Sequence, residues 1–174
     1  MIKSLLVGIC LGILLVFGGA WFYLTSGRMP VATSDAPIPF ERRLAARAFS
    51  AYIQKLGPRE SAVPADEPSY LAGAEIYKRN CAVCHGLPGQ PPTNIAAGMY
   101  PRPPQLFRGG GVSDDPVWET YWKAAEGIRL TGMPGFKSRL SETQLWQASQ
   151  FLAHSDSLPD SVRKALAEAP TAAK

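Results

Sequence analysis

Cysteine, histidine and charge are all scarce in this chain. Its 174 residues hold three Cys and two His, and charged residues make up 18%. Three cysteines are too few for a small disulfide scaffold. The low charge, together with 16 Gly and 16 Pro, argues against a coiled coil or a tightly looped helical bundle. Residues 69–156 show no basic cluster or stripe with interleaved aromatics, carrying eight Lys or Arg against seven Asp or Glu. The formal net charge of +4 includes Lys3 and Arg28, which flank an apolar run rather than lie in the polar part. Nucleic acid is therefore set aside as a partner. Aromatics are not lacking, and four Trp, six Tyr and seven Phe can build a core.

Apolar residues are concentrated at the N-terminus. Leu5 to Leu24 runs without a charge, and at 1.5 Å per residue such a stretch spans about 30 Å as a helix, the hydrocarbon thickness of a bilayer. Trp21, Phe22 and Tyr23 stand at one end, where amphipathic rings favour the headgroup zone, and Lys3 stands at the other. The competing reading is a cleaved signal peptide ending at Gly18-Gly19-Ala20. Its apolar region would be shorter and would not run into Trp-Phe-Tyr, so an anchor over residues 1–27 is expected. Cys10, preceded by Ile9, is read as a small residue of that helix.

Residues 28–68 read as a linker interrupted by one helix. RMPVATSDAPIP is extended by its prolines. From Phe40 to about Leu56, the apolar positions 40, 44, 48, 49, 52, 53 and 56 follow helical spacing, with Arg42, Arg43, Arg47 and Lys55 on other faces. Gly57-Pro58 ends that helix, and Pro64 to Pro68 reads as a second linker. The pattern then predicts a helix over Tyr70–Asn80, a helix over Asp114–Glu126 capped by Ser113, and a helix opened by Ser141-Glu142-Thr143-Gln144. Trp118, Tyr121, Trp122 and Ala125 are expected on one face as pocket wall and core. Residues 157–174 read as a C-terminal tail.

Cys81-Ala82-Val83-Cys84-His85 carries the chemistry. C-x-x-C-H is the attachment pattern of a c-type haem. On a helical turn, positions i and i+3 project to one side, so two thiols can add to the two vinyl groups of one porphyrin, with the next residue, His85, placed as proximal iron ligand. Zinc would need a second ligand pair, and the remaining candidates are His154 and Cys10. A redox dithiol expects a preceding strand, whereas the segment before Cys81 reads as a helix. For the distal iron position, Met133 lies in the Gly/Pro-bounded loop GIRLTGMPGF, and Met99, in Gly-Met-Tyr-Pro, is the other candidate. His154 is read as a packing or surface residue.

These residues resemble the class I cytochromes c, in particular the single-haem, membrane-anchored bacterial type. The resemblance covers about Tyr70 to Ser155. Gly73 and Tyr77 are similar to the small and aromatic positions of the family's N-terminal helix, Gly132-Met133-Pro134 to its distal-ligand loop, and Leu145, Trp146, Phe151 and Leu152 to its C-terminal helix. Pro104-Gln105-Leu106 is similar to the family's Pro-x-Leu, whose proline carbonyl accepts the ring N–H of the proximal histidine; its separation from His85 is longer than in the short members, which implies an extra loop over 94–102 at the haem edge. Arg102 is read as a haem-propionate partner. The resemblance implies an all-α cytochrome c fold over 69–156, preceded by a single transmembrane helix, with one covalent haem c and its iron.

With His85 and Met133 filling both axial positions, no site is left for oxygen or a small-molecule substrate, and the chemistry is one-electron transfer. The expectation is therefore an electron-transfer protein rather than an enzyme. It would serve a respiratory or periplasmic chain, exchanging electrons with a membrane oxidoreductase, terminal oxidase or dehydrogenase. Because the family's haem attachment occurs outside the cytoplasm, the resemblance implies a single-pass protein of the bacterial inner membrane with its haem domain in the periplasm. A fixed haem subunit of a larger complex, and a gas sensor whose Met133 leaves the iron, are the alternative readings.

Overall fold

A computed structural model describes residues 2–108 and 112–168. All regular structure among them is helical: α1 (Ile2–Thr25), α2 (Glu41–Leu56), α3 (Glu67–Asn80), α4 (Ala82–His85), α5 (Asn94–Gly98), α6 (Val117–Glu126), α7 (Glu142–Ala153) and α8 (Asp160–Ala167). The chain divides into two units, residues 1–45 and 46–174.

In the first unit, α1 is exposed throughout and is long and apolar enough to cross a membrane. Its last turn is closed by the Thr25 hydroxyl, which donates to the Trp21 carbonyl at 2.8 Å. The proline-rich stretch that follows is a turn organised by Asp35, whose carboxylate accepts from the backbone N–H groups of Val31 and Ala32, both at 2.9 Å. Its Glu41 carboxylate then accepts from Ile38 N–H where α2 begins.

The second unit is built on the crossing of α3 and α7. Gly73 makes that crossing possible, since a Cβ there would lie 2.6 Å from the Phe151 Cβ and 2.8 Å from the Gln147 carbonyl carbon. Around it, Tyr70, Ala74, Tyr77, Leu106, Phe151, Leu152, Leu158, Val162 and Leu166 form the buried core. Tyr77, Phe107 and Phe151 meet in a ring triad with centroids 5.3, 5.7 and 6.0 Å apart, the Tyr77–Phe107 pair edge-on as aromatic quadrupoles prefer and the other two tilted. Asp66 caps α3 by accepting from Ser69 N–H, and Pro68 sits in the first turn, where a missing N–H costs nothing. The expected capping box of α7 is present, with Ser141 and Gln144 bonded reciprocally.

Several expectations change. The linker does not extend to residue 68, because α3 begins at Glu67 and Gln150 on α7 donates to the Val63 carbonyl at 3.2 Å. Within 94–102 there is a short helix, α5, rather than only a loop. α6 starts at Val117, not Asp114: Asp115 precedes Pro116, whose ring disfavours helical backbone in the residue before it. Ser113 lies outside the start of α6, and its hydroxyl donates to the Asp156 carboxylate. Tyr121 and Trp122 of α6 meet different neighbours. Tyr121 stacks on Trp146 of α7 at 4.1 Å, while Trp122 receives Phe49 and Tyr52 of α2 at 5.9 and 5.5 Å. The C-terminal stretch is not simply a tail, since α8 packs on α3 through Val162 and Leu166; residues 169–174 lie outside the described part.

Candidate functional site

α3 runs directly into the Cys81–His85 turn. The backbone N–H of Cys81 donates to Tyr77 O at 2.8 Å, and Cys84 and His85 N–H both return to Cys81 O, at 3.1 and 2.9 Å. This single turn of α4 places Cys81 and Cys84 three residues apart as free cysteines. Its exit is fixed from the core: the Tyr77 hydroxyl, fully buried, donates to the Gly86 carbonyl at 2.6 Å. Burial, with the neighbouring Cys81 adding to it, holds the Tyr77 phenol well above its ordinary value, so it stays a donor. Gly86 has φ +75, a left-handed backbone that lets the chain leave the turn.

The segment 103–107 lies along the other side of that turn. His85 Nδ1–H donates to the Pro104 carbonyl at 2.8 Å. A carbonyl only accepts, so Nδ1 carries the proton and Nε2 is the ring's lone-pair nitrogen, as an iron ligand requires. Burial lowers the His85 pKa, against the pull of the Pro104 hydrogen bond, and favours the neutral, ligating imidazole. Leu106 N–H donates to His85 O at 3.3 Å, and the Gln105 amide donates to Cys84 O at 3.0 Å. Arg102 is exposed on the same segment. Gln105 was not singled out from sequence; its only signal is its place between Pro104 and Leu106.

Met133 stands in a rigid loop. After α6, Gly127 (φ +71) turns the chain, and the loop doubles back so that Phe136 and Lys137 N–H reach Ala124 and Ala125 O at 2.9 and 3.2 Å. Ile128 N–H donates to Met133 O at 3.2 Å, and Met133 N–H donates to the Thr131 hydroxyl at 3.1 Å. A Cβ on Gly127 would lie 2.6 Å from the Pro134 carbonyl carbon, and one on Gly135 would lie 2.6 Å from Glu126 O. The neck of the loop is therefore closed by glycines on both sides. Met133 itself is half-buried, as is Met99. His154 packs on Tyr70 with rings 5.2 Å apart, and its Nδ1 donates to Gln150 O, as a packing residue does.

The donor set fits a covalent haem. Two unbridged thiols sit on one turn beside an imidazole of the required tautomer. Burial, with Cys84 beside it, pushes the Cys81 thiol up to about 12, whereas a reactive dithiol needs a lowered value. The Tyr100 hydroxyl is buried without a hydrogen-bond partner, next to Met99, and the polar edge of a porphyrin would satisfy it. These features define a class I c-type cytochrome domain. Residues 68–152 match the family model described as cytochrome C oxidase, cbb3-type, subunit III. No curated protein and no solved structure matches the chain. The segment is thus a cytochrome c domain with covalently bound haem c and iron, and its role is haem-based electron transfer.

Proposed function

We propose that the chain is a membrane-tethered, single-haem electron carrier in which Cys81 and Cys84 form the thioether links, His85 is the proximal ligand and Met133 the distal one. α1 anchors it in the bacterial inner membrane, residues 28–45 form the tether, and the haem domain faces the periplasm. The observation that carries this reading is the Pro104 carbonyl holding His85 Nδ1–H at 2.8 Å, beside two free cysteines on the same turn.

Haem c, when bound, supplies one-electron cycling of its iron between ferric and ferrous states. The chain's residues do the rest. Pro104 holds the His85 ring and makes it more basic, Tyr77 and Gln105 hold the turn that presents it, and the hydrogen-bonded loop around Met133 limits movement of the thioether. Arg102 pairs with a propionate. Little rearrangement then accompanies each transfer, which is what an outer-sphere carrier needs. The tether raises the local concentration of the domain near membrane oxidoreductases, a terminal oxidase or a dehydrogenase among them.

A second reading is favoured by the description of the matched family, which names an oxidase subunit: the domain is a fixed subunit of a larger complex. Optical spectra of the haem-loaded chain test the site. Wild type is expected to be low-spin in both states, to ignore carbon monoxide and to show the weak far-red sulfur-to-ferric-iron band. High-spin wild type, or gas binding, would sink the carrier reading. Co-purification of stoichiometric partner subunits from membranes would select the fixed-subunit form.

A further inference from the structure

Met99 reaches the loop that carries Met133. Met99 follows α5, and α5 is pinned to the haem-attachment turn: the Thr93 hydroxyl donates to Val83 O at 2.6 Å and accepts from Ala96 N–H at 3.1 Å. From that anchor the Met99 side chain reaches to Gly132. A Cβ on Gly132 would collide with the Met99 methyl and lie 3.6 Å from its sulfur. Gly132 is not among the glycines with positive φ, so its backbone does not require glycine. The space its missing side chain leaves is occupied by the Met99 thioether, one residue from Met133.

We propose that Met99 is a reserve iron ligand, which replaces Met133 when the Met133 thioether is lost to substitution or to sulfoxide formation. This rests on Met133 being the resting ligand. Methionine suits the role, being unbranched, flexible and soft. The exchange is balanced in itself: one iron–sulfur bond breaks, another forms, and because both thioethers are neutral no proton or electron moves. Oxidation of the Met133 sulfur consumes an external peroxide-type oxidant and yields the sulfoxide and water.

The test uses the full haem-loaded chain and three variants: Met133→Ala, Met99→Leu, and the two combined, the leucine keeping bulk while removing sulfur. Covalent haem content and far-ultraviolet circular dichroism establish that each variant folds. Expected are a Met99→Leu spectrum like wild type and a Met133→Ala protein that keeps a far-red sulfur band and stays closed to carbon monoxide. The combined variant loses the band and binds the gas. Adding Gly132→Val to Met133→Ala should abolish the rescue by displacing the Met99 thioether. If Met133→Ala is as high-spin and gas-reactive as the combined variant, Met99 only packs against the loop; the proposal falls and the Met133 assignment stands. If Met99→Leu alone loses the band while Met133→Ala retains it, the Met133 assignment falls instead, and the reserve role with it.

Discussion

Lys78 is a charge the fold has taken inside. Its side chain is 2% exposed, its ammonium contacts Glu75, and it donates to Ala165 O at 2.7 Å and Glu168 O at 3.4 Å. The cation thus satisfies carbonyls at the C-terminal end of α8, where the helix dipole favours positive charge. Lys78→Met would leave those carbonyls under-bonded and remove one partner of the partly buried Glu75 carboxylate. The expected loss is about 2 kcal/mol, read as a lower urea midpoint with the haem spectrum unchanged. Lys123 has a different balance. Burial works against its charge, but hydrogen bonds from its ammonium to Asp115 at 2.6 Å and Glu119 at 2.8 Å outweigh it and raise its pKa above 10.5. A raised folded value means that this contribution is present in full below about pH 10.5 and fades as pH climbs through the raised value. The stability gap between wild type and Lys123→Met, measured by denaturant titration, should therefore be constant near neutrality and narrow only at alkaline pH above the ordinary lysine value.

Among the elements, the α3–α7 crossing is the least tolerant of change, because two backbones approach there without a side chain between them. Gly73→Val would place three extra carbons where even a Cβ meets Gln147 and Phe151. We expect a loss of about 3 kcal/mol or failure to retain haem, checked by thermal melts and by covalent haem yield. Retention of wild-type melting would show that the helices can separate at no cost. The helices themselves were largely legible in sequence. α2, α3 and α7 follow apolar spacing and cap residues, and the Ser141 capping box appears where the pattern places it. α8 was missed although Leu158, Val162 and Leu166 recur every four residues, a signal masked by the small residues and proline around them. α5 escaped because five residues are too few for a period to show. Ser113 is a favourable cap residue that suggests an earlier start for α6, but Pro116 keeps Asp115 out of helical backbone and the helix begins at Val117.

At the scale of the whole molecule, the division at residue 45 separates the apolar helix and proline-rich stretch from the haem unit, which holds its own core. Replacing residues 1–27 with a cleaved export signal, so that the mature chain lacks α1, should move the protein from the membrane to the soluble fraction and leave its spectrum unaltered, measured by fractionation followed by reduced-minus-oxidised spectroscopy. A shifted sulfur band after deletion would mean that α1 takes part in the haem environment, contrary to the tether reading. Much of the plan follows from sequence alone. The proposed haem attachment through Cys81, Cys84 and His85 rests on a spacing that matches one turn of helix, and the capacity to span a bilayer rests on length and hydropathy; both are local properties of the chain. Tertiary structure decided what depends on contacts between distant residues. It brought the Pro104 carbonyl to His85, the Tyr77 hydroxyl to Gly86, α8 onto α3, and Met99 against Gly132. No period or motif encodes those meetings, since each arises only when separately folded elements are packed and their buried polar groups and free volume must be shared.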